Sequence, residues 1–237
     1  MSAVNGSIGI LKPGSTYAGM IERFGDYDAW FRRVLQPIGI DCRVFALSDE
    51  PPPDPDTVDG WIVTGARSSV VDDDPRVDDL LGWIRTVVER QKPLLGVCYG
   101  HQAIAAALNG RVEVHPGGWE LGTVEVELTD KGREDPLFAG CPDRFWVQAT
   151  HEDHVAELPP GGVSLASNDH TTVQALAVGE GCRGVQFHPE VTTDISRDFV
   201  ARRAHLVDPT PVITDAALAT SVLTNFADHF VRTRVRS

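Results

Sequence analysis

The sequence has 237 residues, 42% of them hydrophobic and 23% charged, an ordinary globular composition that excludes a disordered, collagenous or low-complexity chain. A chain of this length buries roughly 70–75% of the surface its unfolded form exposes, so it needs no disulfide or structural metal to fold. The net charge of −13, from 21 lysines and arginines against 34 acidic residues, repels phosphate backbones and anionic lipid and argues against nucleic acid and membrane as partners.

Ser7–Leu11 reads as a strand, and Asp26 caps a helix running to about Gln36 with Trp30, Phe31, Val34 and Leu35 on one face. Cys42–Leu47 is a second strand, followed by a Pro/Asp loop from Asp49 to Asp56, and Trp61–Thr64 is a third strand ending at Gly65. The acidic stretch VVDDDPRVDD admits a cation site but fits better as a solvated loop and helix start, with Pro75 in the first turn and acids complementing the helix dipole. Val77, Leu80, Leu81, Ile84, Val87 and Val88 continue at helical spacing. Pro93–Val97 is an almost wholly apolar strand, as expected when helices cover both faces of a sheet. A helix from about Gly100 to Leu108 stops at Asn109-Gly110. This alternation predicts an α/β fold with a doubly wound, mainly parallel sheet. Beyond Arg111, short strands at VEV, TVEVEL, FWVQ, VSLA, VQALAV and GVQF predict a partly antiparallel extension of that sheet. Helices over about Ile195–Val207 and Thr214–Thr233, broken at Pro209/Pro211, complete it. No linker or repeat divides the chain, so residues 1–237 are expected to form a single domain.

The most apolar stretch, Leu94 to Leu108, is interrupted by Gly100, His101 and Gln102 and falls short of the ~20 apolar residues of a membrane span. The opening MSAVNGSIG lacks the pattern of a signal peptide. Cys42, Cys98, Cys141 and Cys182 are scattered, with no CxxC pair to suggest zinc. A reduced, cytoplasmic protein is expected. No Walker loop or G-x-G-x-x-G occurs, so neither ATP nor NAD is expected as a cofactor.

One cysteine stands apart. Gly96-Val97-Cys98-Tyr99-Gly100 is a G-x-C-x-G sequence between an apolar strand and a helix, the setting of a nucleophile elbow. There the glycines let the chain reverse, and the sulfur points over the carboxyl ends of the strands. The N–H groups opening the helix can meet an oxyanion. A packing cysteine beside two turn glycines is the plainer reading, but strand, glycines and helix agree on the nucleophile. Such a nucleophile needs a base and a group to orient that base. Among eight histidines, His188 in Gly184–Glu190 (GVQFHPE) follows a strand, and Pro189 keeps it out of a helix. Glu190, two residues on in extended chain, projects to the same side and can fix the ring's tautomer. Taken alone, His-Pro-Glu is a common surface turn.

Together these segments resemble the class I (triad) glutamine amidotransferase family. The matching pieces are PLLGVCYGHQ at Pro93–Gln102, GVQFHPE, and VTG at Val63–Gly65. The nearest likeness is to stand-alone GMP-synthase-like members, and next to γ-glutamyl peptidases of the same, flavodoxin-like fold. The resemblance implies that Cys98 attacks the γ-carboxamide of glutamine, His188 moves the proton and Glu190 orients His188. It also implies that the N–H groups of Gly65 and Tyr99 hold the oxyanion and that Gln102 meets the amino-acid end of the substrate. Two departures stand out. The loop after the third strand reads Thr64-Gly65-Ala66-Arg67 where the family has Gly-Gly-Pro or Asn-Gly-Pro; Arg67 suits a substrate carboxylate or plain solvent equally. At Thr150-His151-Glu152-Asp153, Glu152 stands where glycine is common. His151 and Asp153 are expected in the pocket wall, in a loop after the strand FWVQ, and H-x-x-H with His154 in that loop also allows a metal site, the lesser reading, so no metal is expected.

Family members pass ammonia to a synthetase. No Ser-Gly-Gly-Val-Asp-Ser-like loop occurs here, and the chain ends a few residues after its last predicted helix, so the resemblance implies a separate synthetase partner subunit or a stand-alone glutaminase. A hydrolase or transferase acting on γ-glutamyl peptides or conjugates is the alternative. A non-catalytic relative fits the intact Cys98/His188/Glu190 set poorly.

Overall fold

In the computed structural model, which describes residues 6–48, 50–208 and 210–235, the amino-terminal half follows the expected alternation. It runs β1 (Ser7–Lys12), α1 (Ala18–Phe24), α2 (Tyr27–Leu35), β2 (Asp41–Ala46), β3 (Gly60–Val63), α3 (Pro75–Glu89), β4 (Leu94–Val97) and α4 (Tyr99–Ala107). The caps explain the boundaries. Asp26 accepts the Tyr27 N–H at 2.9 Å to open α2, and Asp74 accepts that of Arg76 at 2.9 Å to open α3, with Pro75 in the first turn. The remainder is β5 (Arg111–Val114), β6 (Glu120–Leu128), α5 (Asp130–Glu134), β7 (Arg144–His151), β8 (Asp153–Glu157), β9 (Gly162–Ser167), β10 (Ala175–Val178), β11 (Cys182–Val185), α6 (Thr193–Arg203), α7 (Ser221–Asn225) and α8 (Arg232–Val235).

Nine strands form one sheet in the order β2-β1-β3-β4-β11-β10-β9-β6-β7. Pairing is parallel from β2 to β11 and antiparallel from β11 to β7. Side-chain alternation sends Ile8, Ile10, Ile62, Leu95 and Val97 to one face, where α2 and α7 cover them with Phe31, Leu35, Val222 and Leu223. Trp61, Val63 and Leu94 point to the other face, under Leu80, Trp83 and Ile84 of α3 and Ile104 of α4. The central strands are thus buried on both sides, which is why Leu94–Val97 is almost free of polar residues.

The structure corrects the expected outline in several places. The strand VEV does not join the large sheet; β5 pairs antiparallel with β8 in a separate two-stranded ribbon. His151-Glu152-Asp153-His154 is a tight corner between β7 and β8 rather than a loop. The last helix does not begin at Thr214. Thr123 N–H donates to the Val212 carbonyl at 3.0 Å, and Thr214 N–H to the Thr123 hydroxyl at 2.9 Å, tying this stretch along β6. Helical structure starts only after Asp215, whose carboxylate accepts the Ala217 N–H at 3.1 Å, and a π-helical turn over Phe226–Val231 separates α7 from α8. Helix α6, capped by Thr192, begins at Thr193, two residues before the expected start. The short helices α1 and α5 were not anticipated; Tyr17, before α1, makes no side-chain cap. Residues 1–5, Asp49 and Pro209, which figure in the expectations about the leader, the Pro/Asp loop and the helix break, lie outside the described residues. No helix among the described residues is long and apolar enough to cross a membrane.

Candidate active site

Three neighbouring parallel strands, β3, β4 and β11, end side by side, and the segments that follow them carry Gly65, Cys98 and His188. Parallel register pairs Val63 with Gly96 and Val97 with Val185, so chain direction alone brings these ends to one edge of the sheet, where open α/β folds bind ligands.

Cys98 joins β4 to α4 with φ 52° and ψ −102°, a conformation that residues with side chains rarely adopt. Its N–H donates to the Val185 carbonyl at 2.8 Å. A Cβ on Gly96 would lie 2.3 Å from the Gly100 carbonyl oxygen, and one on Gly100 2.2 Å from that of Val63. Both glycines of G-x-C-x-G are therefore demanded by backbone contact. Tyr99 opens α4, so its N–H is among the donors a helix leaves unpaired at its start, and the positive end of the helix dipole lies beside the sulfur.

His188 Nδ1 lies 2.8 Å from Glu190 Oε1, and both side chains are buried. The turn is held because His188 N–H donates to the Gln148 carbonyl at 2.9 Å. Burial opposes a charge on the ring, but the Glu190 carboxylate and then the Cys98 sulfur outweigh it and hold the imidazole pKa above its ordinary value. Nε2 has no hydrogen-bond partner. The Cys98 sulfur thus favours a protonated ring although no hydrogen bond joins it to Nε2. Gly65 closes the group: a Cβ there would sit 3.0 Å from His188 Cε1 and 3.9 Å from Cys98 Cβ. Tyr27 also abuts it, and burial, reinforced by Cys98, raises its phenol pKa well above the ordinary value.

Cys98 borders a cleft of about 260 Å³, together with Tyr99, Arg67, Gln102, His151 and Asp153. That volume lies at the small end for ligand sites and suits a metabolite. His188 and Glu190 do not border this cleft. Gln102 turns its amide inward, donating to the Asp153 carbonyl at 2.8 Å and to Gln186 Oε1 at 3.3 Å, so it braces the wall as well as bordering the cleft. Asp153 accepts the Ser69 hydroxyl. Both ring nitrogens of His151 are engaged: Nδ1 lies 3.1 Å from the Asp153 carbonyl and Nε2 2.8 Å from Glu120 Oε2. Asn168 and Gln174 each donate to Glu120 at 2.6 Å. Burial alone would raise the Glu120 carboxyl pKa, but His151 and these amides hold it below the usual range. Arg67 is exposed, its guanidinium 4.1 Å from the centre of the Tyr17 ring.

His101 is fully buried against Gly184, and burial pushes its pKa down to about 3, in keeping with a packed residue. His154 meets another imidazole edge-on: its ring centre lies 4.5 Å from that of His115, which stacks on His170 at 4.0 Å. Among the described residues no group of three His, Cys, Asp or Glu side chains is arranged to hold a metal ion. Sequence reasoning missed Tyr27, Trp119, Glu120 and Arg203. None belongs to a motif, and Glu120 and Arg203 meet partners 31 and 53 residues away in the chain.

An elbow cysteine beside a buried His–Glu pair, at the carboxyl edge of a parallel sheet, defines a class of protein. Residues 20–204 match the class I glutamine amidotransferase family, and the chain belongs to it. It is similar to a GMP synthase (glutamine-hydrolysing) subunit from Haloarcula marismortui, with 33% identity over 180 residues, 74% of this chain and 86% of that one. The corresponding subunit from Methanopyrus kandleri is 29% identical over 192 residues, 79% of this chain and 96% of that one. Against the GMP synthase of Xanthomonas axonopodis pv. citri, identity is 33% over 195 residues, 78% of this chain but 35% of the relative, so the chain spans about a third of that enzyme's length. A glutamine amidotransferase structure from Thermotoga maritima shares the fold, with a TM-score of 0.75 at 17% identity over 96% of this chain and 98% of that one.

Proposed function

We propose that this amidotransferase hydrolyses the side-chain amide of glutamine through a γ-glutamyl thioester on Cys98. The observation that carries this reading is Cys98, strained on its elbow, next to the buried His188–Glu190 pair. His188 takes the thiol proton as the sulfur attacks the γ-carbonyl carbon. The C–N bond then breaks, the proton passes to the leaving nitrogen, and ammonia departs. Water attacks the thioester carbonyl and gives a proton to His188, the C–S bond breaks, the sulfur regains the proton, and glutamate leaves. Glu190 keeps Nδ1 as the donor, so that Nε2 faces the reaction. The raised pKa of His188 favours proton acceptance at the moment of attack. The N–H groups of Gly65 and Tyr99 receive the oxyanion, each worth about 2.7–4 kcal/mol by comparison with such donors elsewhere. Gln102, Asp153 and His151 form the wall that receives the amino-acid end.

The names of the two GMP synthase subunits support an ammonia acceptor on a synthetase partner subunit. The exposed Arg67 at the cleft supports a second reading, in which the donor is a larger γ-glutamyl peptide or conjugate. Steady-state release of ammonia from glutamine, measured beside amine release from γ-glutamyl dipeptides, separates the two. Turnover of either that survives Cys98→Ala would overturn the proposed chemistry.

A further inference from the structure

Arg203 ends α6 with 8% of its surface exposed, and it borders the same cleft as Cys98. Its Nη1 donates to the Thr150 hydroxyl and its Nε to the Tyr17 hydroxyl at 3.3 Å. The guanidinium lies 4.6 Å from the centre of a Trp119 ring and 5.3 Å from that of Phe199. These contacts fix the plane of the group and leave it facing no anion. Among the described residues no carboxylate lies within ion-pair distance of Arg203; Asp198, on the same helix, is taken by Arg23 and Arg202. The aromatic faces and the carboxyl end of α6 offset part of the charge. They do not replace a counter-ion, and a buried cation without one is unfavourable. Arg67, the other arginine at the cleft, likewise has no ion-pair partner among the described residues. Both guanidiniums act instead on Tyr17: burial would raise its phenol pKa, and Arg203 followed by Arg67 brings it below the ordinary value. Acidic Asp153 borders the cleft with them, so the cavity offers charges of both signs, as a zwitterion requires.

We infer that Arg203 is a substrate-binding residue that seats a carboxylate of the substrate, its guanidinium held ready by Thr150 and stacked on Trp119. The carboxylate is either the α-carboxylate of the γ-glutamyl half or one carried by the amine half. The inference rests on the proposed reading of Cys98 as the nucleophile toward a γ-glutamyl amide. It adds to that reading the requirement for an anionic group and the residue that meets it.

The test compares substrates on one protein before it compares proteins. A chloroketone analogue of glutamine is prepared as the free acid and as its α-carboxamide, and alkylation of Cys98 is followed by mass spectrometry with peptide mapping. In a second arm, γ-glutamylglycine and γ-glutamylmethylamide compete as protectants against alkylation. For an α-carboxylate seat, the acid labels Cys98 about 10–100-fold faster than the carboxamide, the span expected for hydrogen bonds to a charged group. Arg203→Gln abolishes that preference and Arg203→Lys keeps part of it. A preference confined to the protectants, and lost in Arg203→Gln, assigns the carboxylate to the amine half. No preference in either arm, or a preference unchanged in Arg203→Gln, overturns the inference and leaves Cys98 as the nucleophile. Failure of both chloroketones to alkylate Cys98 overturns the underlying reading and the inference with it. The wild-type arms read the need for a carboxylate on unaltered protein, and the assignment to Arg203 is read on variants whose circular dichroism matches wild type, with partial retention in Arg203→Lys separating lost charge from lost fold.

Discussion

Cys98 and His151 border one cleft, but they are held there by different means. Cys98 is placed by backbone: a strand end, a strained residue, and two glycines packed against carbonyl oxygens. His151 is placed by side chains, through a buried polar cluster in which Glu120 gathers His151, Asn168 and Gln174. A backbone device fixes one atom and tolerates little change in the residues that form it. A polar cluster shapes a wall, and its strength depends on every member being satisfied. The parallel half of the molecule thus carries the proposed chemistry, and the antiparallel half adds Thr150, His151 and Asp153 to the cleft that Arg67, Tyr99 and Gln102 also border.

The largest effect should come from removing the reacting groups while sparing the elbow. Cys98→Ala keeps a Cβ in the same backbone conformation, so the fold should persist while amide hydrolysis drops by about 10⁴-fold or more. His188→Ala should be of similar size. Glu190→Gln should lose about 10–100-fold less than His188→Ala, because in the proposed mechanism Glu190 orients and supports the base without carrying the proton. Rates set against circular dichroism spectra check all three, and a Glu190→Gln loss as large as that of His188→Ala would reverse the hierarchy.

Breaking the elbow itself gives a different signature. In Gly100→Ala the new Cβ meets the Val63 carbonyl oxygen at 2.2 Å, a contact that backbone cannot easily relieve. A loss of more than about 3 kcal/mol is expected in urea unfolding. A variant with wild-type stability would show that the turn relaxes freely.

The wall should yield by less. Glu120→Gln keeps the volume but removes the charge from the cluster, and should lower stability by about 1–3 kcal/mol. Glu120 is held below the usual carboxyl range, so its contribution is present above pH ~4.3 and fades as pH falls through its lowered folded value. The stability difference between wild type and Glu120→Gln should therefore shrink at acid pH. A difference constant with pH would mean that the cluster does not depend on the carboxylate's charge.

How much of this could be read from the sequence follows the same division. The elbow, His188 and Glu190 were legible because each constraint acts between near neighbours in the chain: G-x-C-x-G spans one turn, and His188 and Glu190 are two residues apart. Gly65, two residues past the end of β3, was placed at the site only by the family resemblance that Val63–Gly65 carries. The wall was not. His151 was expected in a loop, yet Asp153 and His154 belong to β8, and the Glu120 that holds His151 lies 31 residues away. Arg203 looks in sequence like any cation closing a helix; only the fold brings it to Thr150, 53 residues off. Polar clusters of this kind leave no periodic trace, since each member sits on a different element.

The smallest effect concerns the clustered imidazoles of His115, His154 and His170. Burial, then His115, pushes the His154 pKa down to about 4, and His170 is lowered as well. A histidine near 6.5 in the unfolded chain binds protons that the folded form refuses, so these groups withdraw stability as pH falls from ~6.5 toward about 4. His154→Gln should make stability less sensitive to pH over that window. Parallel urea titrations of the two proteins would show curves of equal slope if the ring bears no such load.

The central claim, that Cys98 is the nucleophile toward a γ-glutamyl carbonyl, is tested most directly by mapping where a chloroketone analogue of glutamine reacts while amide hydrolysis is followed in the same sample. The predicted result is one label per chain, on Cys98, appearing in step with loss of hydrolysis and slowed by glutamine. A label on Cys42, Cys141 or Cys182 with Cys98 untouched, or hydrolysis that continues after Cys98 is fully alkylated, would contradict it.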